Sequence, residues 1–149
     1  MTVAKIDRFL EENFFLSNFY LVDIEYNGLI YPSVEHAYQA HKSFNIQEKK
    51  LFTDKNMPPR VAKKFGQHIS LRSDWKDVKL TIMRDLIWRK FFHNNVMKEK
   101  LISTAPAELI EGNWWGDTFW GVCNGEGENH LGKLLMKTRN ALISTEMYK

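Results

Sequence analysis

"SDWKDVKLTIMRDLIWRKFFHN", residues 73–94, carries the strongest helical pattern in the chain, and its reading decides the fold. Ser73 or Asp74 supplies an N-cap, and Trp75, Val78, Ile82, Met83, Leu86 and Phe91 trace one apolar stripe along the helix. A helix of this length with such a stripe becomes the element on which the others pack. N-terminal to it, "PPRVAKKFGQ" (58–67) predicts a short helix from about Pro59 that stops at Gly66. Before that, "YPSVEHAYQAHK" (31–42) predicts a helix with Ser33 as N-cap. Val34, Ala37, Tyr38 and His41 lie on one side of it, and Glu35, Gln39 and Lys42 on another. "LVDIEYNGLIYPS" (21–33) reads as a β-hairpin about Asn27-Gly28, the pair favoured in type I′ turns, with Pro32 ending its second strand.

C-terminal to the long helix, a short helix is expected from Val96 to Ile102, and a strand near Leu109 and Ile110. A last helix runs from about Asn129 to Ile143, burying Leu131, Leu134, Leu135 and Leu142. The result is an α+β fold, a single and mostly helical domain over residues 1–149 with a small antiparallel β-hairpin or sheet. No repeat or low-complexity linker divides it.

The bulk composition agrees with one domain: 149 residues, 44% of them hydrophobic, are enough for a core without disulfides. The single cysteine, Cys123, excludes an internal disulfide framework. No Cys/His spacing resembles a metal site; His36 and His41 are five apart and face different ways, unlike the pair of a zincin helix. Neither a signal-peptide core nor 18 consecutive apolar residues occurs, so a cytoplasmic protein without membrane attachment is expected. A net charge of +3, spread along the chain, is too small for a surface that tracks nucleic-acid phosphates.

Three stretches could carry chemistry. On the helix after Ser33, Glu35 sits in the first turn, where the helix dipole favours its charge. It is either a solvated helix-start carboxylate or the acid of a polar wall with Gln39 and Lys42. "NWWGDTFWGVCNGEGENHLG" (113–132) joins glycines to a helix start at Asn129, an arrangement that can hold phosphate; Asp117 is there either a turn residue or a carboxylate tuned by its site. In "PPRVAKKFG", Arg60, Lys63 and Lys64 form either a solvated basic face or a phosphate clamp beside an amine nucleophile.

Taken in order, "FLSNFY" (15–20), "YPSVEHAYQAHK", "PPRVAKKFGQ", "SDWKDVK", "MRDLIWRKFFHN" and "WWGDTFWGVCNGEGENHLGKLLMKTR" (114–139) resemble the successive motifs of the NADAR, or YbiA-like, family over about residues 7 to 143. The resemblance implies a cofactor-free N-glycosidase. Its substrate would be a small molecule, a riboflavin-type ribosylaminopyrimidine phosphate ahead of ADP-ribosylated guanine, with only transient contact with modified nucleic acid. By position it implies Glu35 as the carboxylate facing C1′, Asp117 as a second acid, and Lys63 as an amine able to form a Schiff base. Ser17, Asn18, Gln39, Arg60, Trp75, Trp120, Gly121 and Asn129 are implied as substrate-binding residues. No metal is implied. The competing class is a module that binds ADP-ribose without turnover, against which stand the two carboxylates, since both would repel a phosphate-bearing ligand.

Overall fold

The computed structural model describes residues 4–147; residues 1–3 and 148–149, the ends of the expected domain, lie outside the described residues. In chain order the elements are β1 (Lys5–Ile6), a 3-10 helix (Glu11–Leu16), β2 (Ile24–Tyr26), β3 (Leu29–Tyr31), α1 (Val34–Ala40), α2 (Ile46–Leu51), α3 (Pro59–Phe65), α4 (Trp75–Phe92), α5 (Asn95–Ser103), β4 (Glu108–Leu109), β5 (Gly112–Asn113), β6 (Val122–Cys123) and α6 (His130–Met147). This is the expected α+β architecture dominated by helices. The chain forms two compact units, one of residues 18–90 and one of residues 1–17 with 91–149.

In the unit 18–90, β2 and β3 pair antiparallel with Ile24 opposite Tyr31. Asn27 and Gly28 both take positive φ, at 50° and 84°, as a type I′ turn demands. Ser33 caps α1, its hydroxyl accepting the His36 N–H at 3.2 Å. The helix packs on α3, α2 and the hairpin, and every residue from Val34 to Ala40 is buried. The two expected faces are therefore both interior, one against the core and the other polar. α4 carries most of its expected stripe, with Trp75, Ile82, Met83 and Leu86 buried and Val78 half-buried. Lys90 is also fully buried, its ammonium 5.6 Å from the Tyr20 ring centre.

In the other unit, β1 pairs parallel with β4 and β5 with β6, two residues each. α6 begins at His130 and continues four residues past the expected Ile143, burying Leu131, Leu135 and Leu142, with Leu134 half-buried. Arg139, on α6 itself, is buried and donates to the Ala107 carbonyl at 2.8 Å and to the Thr104 hydroxyl at 3.0 Å.

These buried groups fix how stability follows pH. His41 lies between the Tyr26 and Tyr31 rings, and burial pushes it down from 6.5 to about 4. Between pH 6.5 and 4 the unfolded chain takes up a proton that the folded chain refuses, so stability is lost as pH falls, by about 3 kcal/mol for this group. Burial pushes Lys90 from 10.5 down to about 7, so stability rises with pH between those values. Burial raises Tyr26 and Tyr31 to about 12, so stability falls once pH passes 10. Melting temperatures recorded from pH 4 to 11 should peak on the alkaline side of neutrality. A maximum near pH 5 would contradict this account.

Candidate active site

Glu35 is not a solvated helix-start residue: its relative exposure is 7%. Ser33 and Pro32 turn the chain into α1 so that the Glu35 N–H reaches the Asn18 carbonyl at 3.1 Å, which brings Asn18 against the helix start. One turn later Gln39, also buried, donates from Nε2 to Glu35 Oε1 at 2.7 Å. Two buried amide oxygens, Asn18 Oδ1 and Gln39's own Oε1, have no hydrogen-bond partner among the described residues. Leaving such acceptors unmatched costs about 1–3 kcal/mol each, the kind of cost expected where a ligand's donors complete the set.

Lys42 continues the same helical face. Its ammonium sits 5.9 Å from the Tyr38 ring centre and 6.0 Å from that of Trp75. Burial holds its pKa below the usual lysine value; Glu35 pulls it back up, while Lys63 and Lys79 push it further down. Glu35, Lys42, Lys63 and Lys79 therefore share one electrostatic neighbourhood, and Lys42 is its desolvated amine. Lys63 and Arg60, on α3, are exposed. Trp75 is 8% exposed and is already engaged by Tyr38, 5.1 Å between ring centres, so it forms a wall and not an open platform.

His36, between these residues in sequence, points elsewhere. Its Nδ1 meets the Ser33 hydroxyl at 2.7 Å and its Nε2 the Met57 carbonyl at 2.6 Å, which ties α1 to the loop before α3. Among the described residues no three His, Cys, Asp or Glu side chains gather into a cluster fit for a metal ion.

The remaining candidates belong to the other unit. Ser17 closes the 3-10 helix, its N–H donating to the Phe14 carbonyl at 2.9 Å. Asp117 Oδ1 accepts the N–H groups of Phe119 and Trp120 at 3.1 and 2.9 Å, while Asn113 bonds its backbone on both sides. That is the turn-residue arrangement. Asn129, at φ 54°, accepts the Glu111 N–H at 3.0 Å and donates to the Leu109 carbonyl at 3.0 Å, so both ends of its amide hold backbone. Gly121 lies so close to Glu111 that a Cβ there would overlap its carbonyl oxygen. Trp120 is half-buried, whereas Trp114 and Trp115 on the same loop are exposed. The sequence reading missed Lys42 as the desolvated amine; its place with Glu35 and Gln39 was visible, but its burial was not.

Comparison with known proteins identifies the family. The NADAR domain model matches residues 7–143. A riboflavin biosynthesis protein of Vibrio vulnificus is 37% identical over 136 residues, covering 89% of this chain and 36% of that protein, so the chain spans about a third of that relative's length. The N-glycosidase YbiA of Shigella boydii is 36% identical over 129 residues, covering 85% of this chain and 79% of that one. An N-glycosidase of Nostoc punctiforme is 34% identical over 142 residues, with 89% and 90% covered. The solution structure of Escherichia coli YbiA superposes with a TM-score of 0.88 at 30% identity, over 100% of this chain and 90% of that one. The order of motifs, the fold and these matches converge: the chain belongs to the NADAR family.

Proposed function

We propose that this protein is an N-glycosidase that hydrolyses the bond between C1′ of a ribosyl phosphate and a nitrogenous base, with ribosylaminopyrimidine phosphates of riboflavin formation as its substrates. The observation that carries the reading is the buried carboxylate of Glu35, fixed by Gln39 and faced by the desolvated amine of Lys42. Cleavage at C1′ builds positive charge on the ribosyl ring, and a fixed carboxylate in a low-dielectric site stabilises that charge strongly. The names borne by the relatives, N-glycosidase and riboflavin biosynthesis protein, support both the reaction and the substrate class.

The residues then take distinct roles. Glu35 faces C1′ and orients the attacking water. Asn18 Oδ1 accepts from a ribose hydroxyl, which satisfies its unmatched oxygen. Lys42 is the better-placed amine for the Schiff-base route that the family resemblance assigns to Lys63. Lys63 and Arg60 attract the phosphate from the exposed flank of α3. Asp117, in the other unit with Oδ1 held in its own turn, is given no role in this proposal. Water is the only co-reactant, so no cofactor is part of the proposal. No helix among the described residues is long and apolar enough to cross a membrane, and a cytoplasmic site of action completes the reading.

The substrate is tested by comparing initial rates on a ribosylaminopyrimidine phosphate and on ADP-ribosylated guanosine, each resolved by chromatography. Faster release of the pyrimidine is expected. Preference for the guanine adduct would keep the reaction and overturn the substrate.

A further inference from the structure

We infer that Gly66 is a positioning residue for catalysis, acting through Gln39 on Glu35. This rests on the reading of Glu35 as the catalytic carboxylate. From sequence Gly66 is a helix stop, a place where glycine is favoured because it can take a left-handed conformation. In the structure it caps α3 at φ −62° and ψ −13°, right-handed values open to any residue. Its backbone does not require glycine.

Its surroundings do. A Cβ at Gly66 would overlap Gln39 Oε1, lie 2.7 Å from Gln39 Cδ and reach 3.1 Å from Gln39 Cβ. The end of a flexible side chain usually swings away from such an intruder. Gln39 is 4% exposed, and its Nε2 is bound to Glu35 Oε1, so any swing breaks that bond. The amide is also locked against a flip, since turning it over would set its oxygen against the carboxylate. Among the described residues its own oxygen has no hydrogen-bond partner, so the donor to Glu35 is the side-chain hydrogen bond that holds this amide. The space beside the Gly66 Cα is what lets Gln39 hold Glu35.

Gly66→Ala should therefore displace the Gln39 amide. Turnover is expected to fall by about 100-fold, the size of effect that follows a misplacement of roughly 1 Å in a catalytic group, with KM changed little. Losing a donor to the carboxylate favours its protonated form, so the acid limb of the kcat/KM profile should move to higher pH. A general loss of packing would lower activity without moving that limb.

The test follows two readouts. In 15N-labelled wild-type protein, the Gln39 side-chain amide resonance, assigned by its loss in Gln39→Ala, should shift with pH as Glu35 titrates. In Gly66→Ala that response should vanish, whether or not any substrate is turned over, so a failure of the N-glycosidase reading leaves this result intact. Gln39→Ala/Gly66→Ala removes the clash; it should melt like Gln39→Ala and show the activity of Gln39→Ala with no further loss. An unchanged amide response and full activity in Gly66→Ala would overturn the inference. So would a further loss of activity when Gly66→Ala is added to Gln39→Ala.

Discussion

Glu35→Gln is expected to cut turnover by about 100-fold or more, since one preorganised electrostatic group is worth roughly 3 kcal/mol of barrier. The substitution keeps the shape of the side chain and removes its charge. Substrate binding should be preserved or improved, because a buried negative charge repels the phosphate that the substrate carries. Stability should not fall. A desolvated carboxylate is costly to hold in an interior, and a neutral amide relieves that cost, so the variant should melt at the wild-type temperature or above it. Steady-state kinetics with thermal melting checks both halves. A folded Glu35→Gln variant that turns over normally would end the assignment.

The second large effect is expected at Lys42. If the ribose opens at C1′, a neutral amine can add to that carbon as the base departs, and borohydride then reduces the imine to a stable secondary amine. Mass spectrometry should find the sugar-phosphate mass on the peptide that contains Lys42. Lys42→Met should abolish the adduct and lower turnover by about 100-fold or more, the range expected for a lost covalent or acid–base group. Lys63 contributes through its charge, which lowers the pKa of the Lys42 amine. Lys63→Met should accordingly move the pH optimum upward without abolishing the adduct. An adduct on Lys63 with Lys42 unmodified would return the nucleophile to the residue that the family resemblance points to.

Much of the fold was legible because it is written locally. The Asn27-Gly28 turn, the Ser33 cap and the stripe of α4 each depend on residues within a few positions of one another, and each stands where the sequence places it. What could not be read is non-local or unpatterned. β1 with β4 and β5 with β6 are parallel pairs of two residues, too short to show any alternation. α2 buries none of its side chains and leaves Ile46 and Leu51 exposed, so it carries no stripe, although Asn45 caps it from the side chain. Lys90 falls on the core side of α4, where residue type alone argues for solvent.

The site was legible in a similar way and to a similar limit. The spacing of Glu35, Gln39 and Lys42 puts them on one helical face, and the structure adds that the face is interior. Burial is a property of what packs around α1, so it changes the chemistry of Glu35 and Lys42 without leaving a mark in their own neighbourhood of the sequence. Gly66 shows the same limit. Its glycine looks like helix punctuation, whereas its surroundings give it a different physical reason, the approach of Gln39 from another helix. Asp117 takes the turn-residue alternative that the sequence left open, and Asn129, expected only as a helix start, holds the backbone of Leu109 and Glu111.

The most direct test of the central claim is a stoichiometric measurement of products from a ribosylaminopyrimidine phosphate incubated with wild-type protein and with Glu35→Gln. The account predicts one free base and one ribose phosphate for each substrate consumed by the wild type, with release slowed about 100-fold or more in the variant even though both proteins bind the substrate. Binding by the wild type without release of base would contradict it.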